Sequence, residues 1–363
     1  MSQDQTQTKE QQYLHALLEL TLNPANASKS TDSLSGLNAR QRSDFLSLAD
    51  SHHVVLRALR PAAQAAILSG NSELAAWANS AIAKEEHRID SAIPQLHGIC
   101  RDLEAAACPV TVIKSLDHWP DLGNDLDLYT SAPPARLLRI LTTKFNAKME
   151  PRSWGDRLAG KWNFSVPGLK ELLEFHVQRL GQTGEHRVLA RRFWSRRVSK
   201  TVNGFQFFVP APEERIVVAT LQRMYRHFYF RICDIVNTAL LVESGAVDFA
   251  ELERATTGAG IWPGVATYLF VVSGYAERYR GRGLDLPAAV TQAARFGAEK
   301  VHAAARFLRV PVMPEGAGLF TRQVTRTALN GDLAATLRLN LLPPLAVAAA
   351  VAYKLTGSDK GVW

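Results

Sequence analysis

Within the stretch Gly123-Asn-Asp-Leu-Asp-Leu-Tyr129, Asp125 and Asp127 stand two residues apart among apolar neighbours. Side chains alternate along a strand, so residues two apart share a face. Two carboxylates side by side repel each other, and either a divalent cation or open exposure to water removes that penalty. A third acid, Glu174, lies in a second alternating stretch, with His176 two positions on. There Leu172, Glu174 and His176 fall on one face and Leu173, Phe175 and Val177 on the other. Three carboxylates gathered by two strands suit Mg²⁺, a hard cation that takes oxygen ligands and leaves room for substrate phosphates. Such a centre serves in-line displacement at phosphorus, where catalysis is mostly positioning and charge neutralisation. Upstream, Lys114-Ser115 closes a short β-rich run that starts at Val110. A hydroxyl, backbone N–H groups and an ammonium at such a strand end could hold a triphosphate.

The elements that must position these side chains follow from apolar spacing and from Gly/Pro breaks. Residues 1–36 read as a disordered or weakly ordered segment with one short helix, Tyr13 to Leu22. Residues 37–107 read as an N-terminal helical region, punctuated by Pro61 and Gly70-Asn71, with Ser72 as a helix cap. Residues 108–209 form an α/β core, with strands near 110–113, 126–129, 161–166, 171–177 and 203–209 and a helix at 133–145. Residues 210–363 form a C-terminal helical region that opens with long helical spacing from Glu213 to about Val242. The fold class is therefore α+β, a small mixed sheet with helices, flanked by N- and C-terminal helical regions.

Several other segments carry two readings. His186 to Lys200 holds six Lys/Arg and no acid. It reads either as a surface for nucleic acid or an anionic acceptor, or as an amphipathic helix with Leu189, Phe193 and Trp194 inward. Arg223 to Arg231 mixes bases with aromatics, which read first as core residues and second as a base-stacking or phosphate contact. Asp234 reads as a structural partner for an arginine, and Asp117, His118 and Asp121 as a solvated loop.

Composition narrows the classes. Lys+Arg 42 against Asp+Glu 34 gives a net charge of +8, compatible with phosphate-rich ligands. Cys100, Cys108 and Cys233 are an odd set without CxxC spacing, which argues against a disulfide framework or a zinc site and fits a reducing cytoplasm. The N-terminus is polar and Gln-rich, unlike a signal peptide. The apolar run Leu341 to Lys354 is too short to span a bilayer and reads as a buried helix.

With these motifs in this order, the chain resembles the polymerase-β-like nucleotidyltransferase superfamily. More closely, it resembles the bacterial uncharacterised nucleotidyltransferase family of the NTP-transferase-5 type, over roughly residues 40 to 280. The resemblance is carried by Lys114-Ser115, Asp125-Leu-Asp127 and Glu174-Phe-His176. It extends to Leu46-Ser-Leu-Ala-Asp-Ser-His-His-Val-Val-Leu56 and to the helices from Pro212-Glu-Glu-Arg215 to Arg231-Ile-Cys-Asp234. It implies a palm fold and an enzyme using Mg²⁺, with Mn²⁺ as the alternative ion. That enzyme would move a nucleoside monophosphate from an NTP such as ATP to an acceptor hydroxyl or phosphate, releasing pyrophosphate. Asp125, Asp127 and Glu174 would be the catalytic, metal-holding residues, and Lys114, Ser115 and His176 would contact the nucleotide. The acceptor stays open among small molecules, proteins and RNA. The chain departs from the pattern at Lys114, where the superfamily turn has Gly, and at Glu174, where Asp is common. Two other classes stay in view: a nucleotide- or partner-binding module without transfer, and, more remotely, an Asp-x-Asp glycosyltransferase. Mostly helix precedes the motif here, whereas those enzymes usually show an alternating αβ run.

Overall fold

The computed structural model describes residues 3–180, 187–304 and 306–356. Five helices come first: α1 (Gln3–Leu22), α2 (Ala27–Ser35), α3 (Ala39–Ser51), α4 (Val55–Leu68) and α5 (Ser72–Ala105). The first contains the short helix expected over Tyr13 to Leu22 and begins earlier, at Gln3; the second stands where a weakly ordered stretch was expected, and Met1 and Ser2 lie outside the described residues. Burial supports both: Leu14, Leu17, Leu18 and Leu20 hold α1, and for α2 the shielding of Ala27 and Leu34 from water outweighs a polar local sequence. The cap of α5 is Asn71, one residue before the expected Ser72, and its side chain accepts from the Leu74 amide at 3.0 Å.

The sheet follows. Its strands are β1 (Val110–Val112), β2 (Asp125–Thr130), β3 (Lys148–Met149), β4 (Lys161–Ser165) and β5 (Leu172–Val177), with α6 (Pro134–Phe145) and α7 (Trp154–Ala159) between them. The spatial order is β1-β2-β5-β4-β3. Only β2 and β5 run parallel; the other pairs are antiparallel. Leu126, Leu128, Leu173 and Phe175 point into a core shared with the second half of α5 and with α6.

Next come α8 (Arg187–Ser195) and a hairpin of β6 (Val198–Val202) and β7 (Phe205–Val209). The basic segment is thus helix only to Ser195, because β-branched Val198, Thr201 and Val202 favour the strand. His186 lies outside the described residues. The long helix expected from 213 to 242 is also broken. It runs as α9 (Pro212–Thr220), a π-helical turn (Leu221–Arg226), β8 (Tyr229–Phe230) and α10 (Ile232–Glu243). Phe228 takes φ +53°, which no helix accommodates. Tyr229 then stacks on Phe307, with ring centroids 4.3 Å apart.

The remaining elements are α11 (Phe249–Gly258), α12 (Trp262–Arg280), α13 (Ala288–Ala293), β9 (His302–Ala304), β10 (Phe307–Arg309), α14 (Ala317–Leu329) and α15 (Leu333–Thr356). The run read as a buried helix is helical in α15, but Leu341, Val347 and Val351 are exposed there. Helices α1 to α4 share one core with α9 to α14, from Leu14 to Leu319. Polar ties reinforce it: His15 Nδ1 lies 2.9 Å from Tyr279 Oη, Asn23 donates to the Tyr279 carbonyl, and Arg280 donates to that of Leu22.

Candidate functional site

Strand register brings the acids together. In the parallel β2–β5 pair, Asp127 lies opposite Glu174 and Tyr129 opposite His176. On β4, Lys161 lies opposite His176. One face of three strands thus presents Asp127, Glu174, His176 and Lys161. Ligand atoms of Asp127, Glu174 and His176 all fall within 4.8 Å of one another. Asp125 shares the face but stands outside this set, exposed at the rim. Tight convergence therefore includes His176 and leaves Asp125 one pleat further out.

Lys114 completes the cluster. It adopts φ +61°, ψ −61°, while the Ser115 amide donates to the Ile113 carbonyl at 2.6 Å. This is a γ-turn of the strained kind, where glycine would be at ease. From it the Lys114 ammonium pairs with Asp127 and lies 3.9 Å from Glu174. Lys161 Nζ lies 2.5 Å from the other Glu174 oxygen, and His176 Nε2 is 3.0 Å from Glu174 Oε1 and 3.6 Å from Asp127. Burial alone would raise the Glu174 carboxyl; Lys114, the His176 hydrogen bond and Lys161 reverse this and hold it well below its usual range. Desolvation, then the Glu174 and Asp127 charges, pushes Asp125 upward. Ser115 is buried; its hydroxyl donates to the Asp125 carbonyl at 3.2 Å and accepts from the Asp127 amide at 2.8 Å. It therefore fixes the Asp125–Asp127 backbone and has little left for the phosphate expected there.

Lys114, Asp125, Asp127, Lys161 and Glu174 line one side of a cavity of about 360 Å³, a ligand-sized space, whereas His176 and Ser115 are not among its lining residues. The opposite side comes from the π-helical turn and the start of α10. Leu221, Met224 and Tyr225 of the turn enter the helical core, so Gln222, Arg223 and Arg226 face the cavity, followed by His227 and Arg231. Single π turns recur at functional sites because they re-aim side chains in this way. Arg223 Nε lies 2.6 Å from Asp234, which meets the structural role expected of that acid, and Arg215 Nε lies 2.6 Å from Asp117.

The loop expected to be solvated is built in. Asp121 is buried, and its carboxylate accepts from the amides of Leu56 at 2.6 Å and Arg57 at 3.3 Å, capping α4 from outside that helix. Arg57 reaches the Trp119 carbonyl, and Asn237 is bonded to His118. His118 in turn stacks on His53. From α5, Arg88 pairs with the buried Glu171 and donates to the carbonyls of Leu122 and Gly123. These ties hold the entry to β2, and with it Asp125.

Lys161, His53, Arg226 and Arg231 belong to the cavity, although sequence reading assigned Lys161 and His53 no individual role and Arg226 and Arg231 only a second reading as phosphate contacts. The alternation of Lys161, Asn163 and Ser165 with Trp162 and Phe164 is the pattern that could have placed Lys161 on the face of the acids. The basic–aromatic run 223–231 was visible too, although its direction depended on a π turn that spacing does not reveal. The basic helix points elsewhere: Arg192 and Arg196 pair with Glu213, Glu214 and Glu251, and Arg197 pairs with Glu104. Leu189 and Phe193 are buried, but Trp194 is exposed beneath Arg197.

No family model matches this chain, and no curated protein matches it. Among solved structures, it is similar to an antigenic nucleotidyltransferase-like protein from Paracoccidioides brasiliensis. The identity is 14%, the TM-score 0.29, and the likeness covers 46% of this chain and 86% of that one.

Proposed function

We propose that the cavity transfers a nucleoside monophosphate from an NTP to an acceptor hydroxyl or phosphate. The observation that carries the reading is the register of β2 on β5, which sets Asp127 against Glu174 with His176 alongside. Two carboxylates and an imidazole this close fit a hard or borderline divalent cation such as Mg²⁺ or Mn²⁺. Asp127, Glu174 and His176 would hold it, with Asp125 contributing from the rim. Such an ion supplies neutralisation of phosphate charge.

The chain's own groups do the rest. Ser115 holds the backbone of both aspartates in place. Lys161 remains on Glu174 and keeps that carboxylate ionised. Lys114, once released from Asp127, lies beside the place where phosphates would enter. In the reaction, the acceptor oxygen bonds to the α-phosphorus, the α–β phosphoanhydride breaks, pyrophosphate leaves, and the acceptor proton passes to solvent.

Thermal denaturation with each of the four NTPs, with and without Mg²⁺, tests the reading. A ligand that binds only the native state raises the melting temperature by mass action. The expected result is a Mg²⁺-dependent rise that is lost in Asp127→Asn and in Glu174→Gln, together with loss of label transfer from α-labelled NTP. Transfer at the wild-type rate in either variant would exclude the assignment. One observation favours a second reading: an ammonium already sits among the acids. On that reading the chain binds nucleotides without transferring them, and NTP stabilisation would be independent of metal.

A further inference from the structure

We infer that the arginine side of the cavity is an anion seat in its own right, where Arg226 and Arg231 hold a phosphate group without a metal. The inference goes beyond nucleotidyl transfer and does not need it. Charge pairing around the cavity points to it. Lys114 is matched by Asp127, Lys161 by Glu174, Arg215 by Asp117 and Arg223 by Asp234. Among the described residues, Arg226 and Arg231 line the same cavity with no carboxylate in ion-pairing range. Two guanidinium charges facing a largely desolvated space are a standing cost unless an anion joins them.

Hydrogen bonding points the same way. The Nε atoms of Arg226 and Arg231 and Nδ1 of His53 are buried without a hydrogen-bond partner. Buried donors nearly always find acceptors in native proteins, so three open ones around one cavity mark a ligand's place. His53 is buried, and desolvation followed by the Arg231 charge keeps its ring neutral. Arg231 donates to His53 Nε2. The ring proton therefore resides on Nδ1, which makes that atom a donor. The start of α10 does not compete for the anion, because the Ile232 and Cys233 amides are already bonded to His52. Planar guanidinium forks match phosphate oxygens in shape as well as charge. The two arginines lie toward different ends of the cavity: Arg226 feels the Glu174 and Asp127 charges, whereas Arg231 touches His53. The ligand is thus a phosphate-bearing molecule long enough to meet both, either the NTP's own polyphosphate or a phosphorylated acceptor.

The test uses inorganic tripolyphosphate with the full chain in EDTA, read by calorimetric titration and by melting temperature. The seat predicts binding without metal that weakens as salt rises. Affinity should fall at least tenfold in Arg226→Gln and in Arg231→Gln, recover in part in Arg226→Lys, and persist in Glu174→Gln. Unliganded melting curves near wild type would show that the variants fold. Retention in Glu174→Gln also separates this proposal from nucleotidyl transfer, which that variant should abolish. Competition between tripolyphosphate and ATP would assign the seat to the nucleotide, and simultaneous binding would assign it to the acceptor. Binding that requires Mg²⁺, or that is unchanged in both glutamine variants, would overturn the inference.

Discussion

Lys114→Gly separates two effects that wild type combines. Lysine at φ +61° in a γ-turn holds backbone strain of about 1–3 kcal/mol, which glycine relieves. The same change removes the ammonium from Asp127. Oxygens of Asp127 and Glu174 lie within 4.8 Å of each other, and two unit charges at that distance repel by about 3.5 kcal/mol at an effective permittivity of about 20. Lys161 stays on Glu174 and screens part of this, leaving roughly 2–3 kcal/mol of repulsion for an incoming cation to relieve. Because 1.4 kcal/mol is a factor of ten, Lys114→Gly should bind Mn²⁺ or Mg²⁺ about 30- to 100-fold more tightly than wild type. Without metal, strain relief and carboxylate repulsion nearly cancel, so stability in EDTA should change little. Lys114→Ala loses the ammonium but keeps a side chain at positive φ. It should show the same gain in cation affinity with stability lower by ~1 kcal/mol. Mn²⁺ titration followed by electron paramagnetic resonance gives the affinity, and urea unfolding in EDTA gives the stability. Equal cation affinity in wild type and Lys114→Gly would refute the idea that the ammonium stands where a cation would bind.

Three further changes probe the scaffold. His52 is fully buried, and desolvation lowers its pKa to about 3. The unfolded chain takes up the proton near pH 6.5, so this contribution is full above that pH and is lost as pH falls toward 3. From pH 6.5 to 5 the loss should be roughly 2 kcal/mol, and His52→Gln should flatten that slope in urea midpoints. Asp121→Ala leaves the Leu56 and Arg57 amides without their acceptor and should destabilise by about 1–2 kcal/mol, as loss of a helix cap does; circular dichroism during denaturation measures it. Arg88→Met strands the buried Glu171 charge and should lower stability by about 3–5 kcal/mol. Adding Glu171→Gln should restore much of it; a double variant no better than the single would show that the pairing is incidental.

Much of this was readable from pattern. Period-two alternation in 125–130 and 172–177 placed the acids on one face, and parallel pairing of those strands then set Asp127 against Glu174. The register itself was not legible, since a slip by one residue satisfies the same apolar alternation in isolation but inverts the faces. His176 joins the cluster because of that register. The strain at Lys114 was foreshadowed by a lysine in a glycine position, whereas its ion pair with Asp127 is a tertiary outcome. Asp121 looked like an ordinary loop acid; its burial depends on the distant amides of Leu56 and Arg57, which no local pattern reports. The arginine wall ranked second to core packing in the run 223–231 because a helical reading of 213–242 sends Arg226 and Arg231 in directions that the π turn and Phe228 change. At the N-terminus, the apolar spacing of Leu14, Leu17 and Leu18 announced the helix, whereas the polar composition of 27–35 hid α2, whose order comes from the burial of Ala27 and Leu34.

The packing of α1 on α12 also bears on how the chain is made. The partners of Leu22 and Asn23 are Arg280 and Tyr279, some of the last residues of that core to be synthesised. At translation rates of about 5–20 residues per second, α1 waits roughly 10–50 s for them. During that interval α2, α3 and α4 can already cover much of the leucine face of α1, since Leu34, Phe45, Leu48 and Leu59 belong to the same core, and the edge meant for α12 stays open. The cavity, drawn from His53 through Tyr268, likewise closes only after most of the chain has left the ribosome. A nascent or truncated chain would therefore present that open apolar edge of its N-terminal helices long before it could engage a ligand.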